Sequence, residues 1–245
     1  MKAAMLWLNG WGMSDEVWCS MQSQFPECAH TVPDLSVADQ PEAFYEIARQ
    51  AALSTASLPL IAVGWSLGGM LAQRLAAEGL AAGLVLIGTT ARFVRPREER
   101  RLGWLDAQVR RMERALYADR TGVMRTFWQS MFTAEERQQA DSSVSVCDAW
   151  PLSALAAGLS YMREEDLRPH LGSITCPTLV IHGTADGICP FSAGEELAAS
   201  IPAARLEAIV EGGHALPLVH CNAVADAIKR MVEHSVESSS QQTVQ

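Results

Sequence analysis

The sequence predicts an α/β fold: a mostly parallel sheet of about six strands, helices on both faces, and a helical insertion late in the sheet. Three observations carry this. Short apolar runs alternate with helical stretches along the 245 residues. Each run is bounded by Gly, Pro or polar residues. Hydrophobic residues make up 49% of the chain and charged residues 19%, which permits a large core and is too apolar for a disordered chain.

The elements follow in order. Residues 3–8 are expected to form the first strand: one positive charge precedes them and no distinct signal-peptide cleavage region follows, so the segment reads as a strand. A weaker strand is expected at 30–33, then a helix at 41–54. The strand at 60–63 runs into a helix at 67–78, and a further strand follows at 83–87. After the insertion come a strand at 178–181, a helix at 193–200, a strand at 206–210 and a helix at 223–234. The Ser/Gln-rich residues 235–245 read as a frayed, flexible tail. Between 92 and 168 no parallel strand is evident, only helical pattern carrying Phe127-Trp128 and Met131-Phe132. The expected division is therefore a core in two parts, 1–91 and 169–234, with a helical cap at 92–168.

Composition narrows the function. With 19 basic and 28 acidic residues the formal charge is −9, which argues against a general nucleic-acid binder. No apolar run approaches the ~20 residues of a membrane span. The six cysteines (Cys19, Cys28, Cys147, Cys176, Cys189 and Cys221) form no CxxC pair, so neither a zinc site nor a redox motif is expected. Reduced thiols in a cytoplasmic, monomeric protein are the expectation.

The strongest local signal is Gly64-Trp65-Ser66-Leu67-Gly68, set between a strand and a helix. That setting is what a nucleophile elbow requires, because the sharp turn lifts the serine above the sheet. A serine hydroxyl needs a base. His214, in Glu211-Gly212-Gly213-His214, lies in a loop after a strand and so reaches the same sheet edge. His30, His170, His182, His220 and His234 are less suitably placed. Asp186 follows the preceding strand and would orient the imidazole, with Asp34 as the fallback acid. The order Ser66, Asp186, His214 is that of the α/β-hydrolase triad. For the oxyanion, Leu67 supplies one backbone N–H. The glycines of Asn9-Gly10-Trp11-Gly12 point to the Trp11 N–H as the second.

Together these motifs resemble the α/β-hydrolase superfamily over nearly the whole chain. Within it, Leu8-Asn9-Gly10-Trp11-Gly12-Met13, Trp18, and Trp65 beside the serine resemble the esterases that demethylate pimeloyl-acyl-carrier-protein methyl ester in biotin synthesis. The resemblance implies Ser66 as nucleophile with Asp186 and His214 as partners, Trp11 and Leu67 in the oxyanion hole and substrate site, and Phe127 on the acyl channel. It implies no metal and no organic cofactor. Asn9 stands where many members have His. The chain opens at what is usually the third strand, so about six core strands are expected instead of eight. Other reactions remain open on the same scaffold: an enol-lactonase, a thioesterase, a C–C bond hydrolase, or a ligand sensor without turnover.

Charge is uneven along the chain. Between residues 92 and 137 eleven Arg face seven acids, a net of +4, while the rest of the chain carries −13. Arg suits phosphate and carboxylate recognition. A cationic cap, with Arg110, Arg111 and Arg114 at its centre, is expected to dock an acidic acyl-carrier protein bearing the ester substrate. The competing expectation is that several of these arginines pair with Glu98, Glu99 and Glu113.

Overall fold

Six parallel strands form one sheet in the order β2-β1-β3-β4-β5-β6. They are β1 (Ala4–Leu8), β2 (Ala29–Thr31), β3 (Leu60–Trp65), β4 (Gly83–Ile87), β5 (Thr178–Gly183) and β6 (Ala204–Ile209). This computed structural model describes residues 3–55, 57–139, 150–202 and 204–242. The strand count and fold class match the expectation. β1, β3, β4 and β5 are buried at every position, as strands covered on both faces must be.

Connectivity positions the site. The chain steps outward from β1 to β2, then returns past β1 to β3 and proceeds to β6. Right-handed connections place the two directions of travel on opposite faces. Helix α1 (Pro41–Ser54) accordingly packs on α2 (Leu67–Ala77), while the short turn Cys19–Gln22 meets the last helix. The reversal between β1 and β3 opens a crevice at the carboxyl edge, where ligands bind in such sheets. There the register pairs Leu8 with Gly64, bringing the Asn9–Gly12 loop beside Ser66.

Between β4 and β5 the structure is helical: α3 (Asp106–Ala118), α4 (Arg120–Ser130), α5 (Ala134–Gln139) and α6 (Leu152–Glu164). Helix α6 packs on both α3 and α1, tying this insertion to the core. Two short 3-10 turns flank the group, Arg97–Leu102 and Arg168–Ser173. Helix α7 (Phe191–Ser200) then covers β5 and β6, and α8 (Cys221–Gln242) closes the chain.

Some boundaries differ from expectation, each for a physical reason. β6 starts earlier and ends before Val210, because the chain turns at Glu211 (φ 58°) and leaves Val210 76% exposed. β2 stops before Pro33, which has no N–H to give a ladder. The last helix continues to Gln242, past the tail boundary set at 234; Ser and Gln lack apolar periodicity but tolerate helix well. Residues 243–245 of that expected tail lie outside the described residues, as does Cys147. The five described cysteines are free thiols. Among the described residues no helix is long and apolar enough to cross a membrane, and no cluster of side chains is set to hold a metal.

Candidate active site

Ser66 sits between β3 and α2 with φ 56° and ψ −119°, a conformation costing about 1–3 kcal/mol for a residue with a Cβ. The surroundings impose it. The Ser66 N–H donates to Ile87 O (3.0 Å), and Thr89 Oγ1 donates to Ser66 O (2.7 Å). The turn closes only because Gly64 and Gly68 lack side chains. A Cβ at Gly64 would stand 2.3 Å from Gly68 O, and one at Gly68 would stand 2.0 Å from Leu8 O.

His214 follows β6 and Asp186 follows β5, so with parallel strands all three residues lie at one sheet edge. His214 Nδ1 is 2.8 Å from Asp186 Oδ2, and both side chains are buried. A carboxylate oxygen only accepts, so in this contact Nδ1 is the donor and Nε2 is the nitrogen left for another partner. Asp186 Oδ1 accepts the N–H groups of Ile188 (2.8 Å) and Cys189 (2.9 Å). Asp34 caps the turn at Leu35 by accepting from Ser36 N (2.9 Å) and is exposed, so it is not the partner of His214.

The other histidines have separate work. His30 accepts from Trp7 Nε1 (3.1 Å). His182 is fully buried, bonds Cys189 O (2.8 Å) and lies 3.5 Å from Asp186 Oδ2. Its burial pushes its pKa down, and burial likewise pushes the Cys189 thiol up. His220 meets Glu136 of the insertion at 2.8 Å.

One contact was not read from the sequence. The Trp65 indole N–H donates to His214 O (2.9 Å), and the two rings lie 5.7 Å apart. The residue beside Ser66 therefore holds the histidine loop directly. Trp65 was legible only as a family cue; its bond spans 149 residues and has no local signature.

Across the crevice, Trp11 occupies a turn closed by Met13 N–H to Gly10 O (3.2 Å), with Gly12 at φ 73°. Asn9 braces this loop, donating to Met13 O (3.2 Å) and accepting from Trp18 Nε1 (2.6 Å). The Trp11 indole donates to Leu155 O (2.8 Å), and its ring meets Phe127 edge-on at 4.9 Å. Leu67 is the first residue of α2.

Trp11, Ser66 and Phe127 line one narrow pocket with Met112 and Leu159, closed down to about the size of a water. Trp104, Met112, Phe127 and Ile188 also line a wider groove of about 620 Å³ that includes Arg111 and Val123. These four residues form a neck between groove and serine. The Trp104 indole donates to Ile188 O (2.8 Å), joining the neck to the Asp186 loop.

The arginines divide into two groups. Arg95 is buried and forks onto Glu196 while also meeting Glu99 at 3.0 Å. Arg92 pairs with Asp166 (3.0 Å), and Arg120 donates to Trp150 O (2.7 Å). Arg110 is exposed but engaged with Asp106 (2.5 Å). Arg111 and Arg114 are exposed on the same helix. The net charge therefore overstates the cationic surface, because much of it is neutralised within the fold.

Comparison with known proteins gives the family and the fold. A model of the Alpha/beta hydrolase family matches residues 5–227. The chain is 32% identical to the pimeloyl-[acyl-carrier protein] methyl ester esterase of Chromobacterium violaceum, over 93% of this chain and 92% of that protein. It is 28% identical to the enzyme of the same name from Aromatoleum aromaticum, over 92% and 96%. In fold it resembles a bromoperoxidase from Bacillus anthracis (TM-score 0.84, 19% identity, 95% and 92% of the two chains). It also resembles an esterase from Exiguobacterium antarcticum (TM-score 0.79, 22% identity, 94% and 92%).

Proposed function

Since the chain belongs to the alpha/beta hydrolase family, we propose that it is a serine carboxylesterase whose substrate is the methyl ester of pimeloyl-acyl-carrier protein, in biotin synthesis. The observation that carries this reading is the buried His214–Asp186 pair, tied to Trp65, the residue beside Ser66.

Ser66 Oγ attacks the ester carbonyl while His214 Nε2 takes its proton. The tetrahedral oxyanion is met by the Leu67 and Trp11 backbone N–H groups. Collapse expels methanol, protonated by His214, and leaves the carrier-bound pimeloyl group esterified to Ser66. His214 then draws a proton from water, which attacks the acyl carbonyl; the second collapse breaks the bond to Ser66 Oγ, which takes the proton back from His214, and frees the carrier-bound acid. Asp186 stabilises the imidazolium and holds its tautomer.

The lining of the narrow pocket supports this choice: Phe127, Met112 and Leu159 are apolar and would suit a methylene chain once these side chains part, and a methyl leaving group needs little room. The outer groove beside Arg111 would lead the chain in from a carrier docked at Arg110, Arg111 and Arg114. The names of the two relatives above support the same choice. The test is methanol release from pimeloyl-acyl-carrier-protein methyl ester by the purified protein. Turnover of that ester is expected. Its resistance, alongside rapid turnover of an enol-lactone or an acyl thioester, would move the chain to a neighbouring activity.

A further inference from the structure

We propose that Glu136, in the insertion between β4 and β5, is a positioning residue for His214. The proposal rests on the reading of His214 as the base. Thr133 and Glu136 form a capping box at the start of α5: Glu136 N–H donates to Thr133 Oγ1 (3.2 Å), and Thr133 N–H donates to Glu136 Oε2 (2.8 Å). A capping box needs only one carboxylate oxygen. Here the second, Oε1, accepts the Gly213 N–H (2.9 Å) and meets His220 Nε2 (2.8 Å). Glu136 is only 4% exposed, so its charge is held by these three donors.

The neighbouring backbone acts with it. Met131 O, just after α4, accepts both the His214 N–H (2.7 Å) and the Ala215 N–H (3.1 Å). Three consecutive N–H groups, at 213, 214 and 215, are thus satisfied by residues 131 and 136. Gly213 permits the approach: a Cβ there would stand 2.5 Å from Glu136 Oε2 and 2.7 Å from Met131 O. Met131 and Glu136 are therefore the seat of the catalytic histidine, and the cap cannot swing away there without moving the base. Helix α3 and the first turns of α4 carry no such bond to the His214 loop among those described.

The test compares five variants on a short p-nitrophenyl ester, with melting temperature measured for each. Glu136→Ala should lose about 10- to 100-fold in kcat with KM within about 3-fold, since a misplaced base costs rate, not binding. Thr133→Val removes the other half of the capping box and leaves Oε1 in place. It should lower the melting temperature comparably yet hold kcat within about 2-fold. Glu136→Gln keeps one oxygen able to accept from Gly213 and should recover kcat to within about 5-fold of the natural chain. A folded Glu136→Ala with unchanged kcat overturns the proposal, and so does a kcat loss equal to that of Thr133→Val or a Gln variant no better than Ala. If Glu136→Ala fails to fold, Gly213→Ala asks the same question, because its Cβ must push the loop off the cap; unchanged kcat there overturns the proposal too. Ser66→Ala separates the two levels. Turnover surviving in Ser66→Ala rejects the esterase reading itself, whereas an inactive Ser66→Ala beside a fully active Glu136→Ala rejects only the positioning role.

Discussion

The two walls of the site are built differently. On the sheet side hydrogen bonds fix the key groups: Asp186 is bonded by His214 and two backbone N–H groups, and the Ser66 backbone is fixed by Ile87 and Thr89. On the cap side the wall is apolar, with Phe127, Met112 and Leu159 packed without polar anchors into the pocket. The hydrogen-bonded geometry is concentrated at strand ends, joined at the His214 loop by Met131 and Glu136 of the insertion, and the pocket wall is left to apolar side chains on helices. Chemistry and specificity should therefore respond to different substitutions.

The largest effect is expected on the sheet side. Asp186→Asn should lower kcat by up to ~10⁴-fold, because an amide favours the wrong imidazole tautomer. Asp34→Asn, on a surface turn, should leave kcat near that of the natural chain. A larger loss from Asp34→Asn, measured on the same small ester, would reverse the assignment of the acid.

A smaller, substrate-dependent effect is expected on the cap. Replacing Arg110, Arg111 and Arg114 together with Ala should cost about 10-fold in kcat/KM on the carrier-bound ester at low salt, and less at high salt. A short soluble ester should be hydrolysed as before. Equal losses on both substrates would mean a damaged cap and no docking role. Arg110 should contribute least, since Asp106 already holds it.

The smallest expected effect is on stability. Burial holds the His182 pKa below its ordinary value, so the folded protein keeps it neutral. The unfolded chain, titrating near ~6.5, binds the extra proton first. The stability His182 contributes is present above that pH and is lost as pH falls toward its folded value, with a slope of at most about 1.4 kcal/mol per pH unit. His182→Asn should flatten the fall of melting temperature between pH 7 and pH 5. Parallel curves for the two proteins would contradict this.

The same contrast explains what could be read in advance. The strands at 83–87 and 60–63 were legible because buried parallel strands are continuous apolar runs; the places of Ser66 and Asp186 follow from such runs, and that of His214 from the partly exposed β6. Cap contacts were not. Thr133 and Glu136 show the capping-box spacing in the sequence, but the bond from Glu136 to Gly213 spans 77 residues and has no periodic signature. The arginine count was legible and its meaning was not, because Arg95 and Arg92 find acids at 196 and 166, outside the span over which the charge was summed.

The central claim is that Ser66 is the nucleophile served by His214. The most direct measurement is the intact mass of the protein after treatment with a fluorophosphonate, with the adduct located by peptide mapping and turnover followed in parallel. The account predicts one adduct, on Ser66, absent from Ser66→Ala, with a turnover loss in that variant of ~10³-fold or more. An adduct on another residue, or ester hydrolysis by Ser66→Ala near the natural rate, would contradict it.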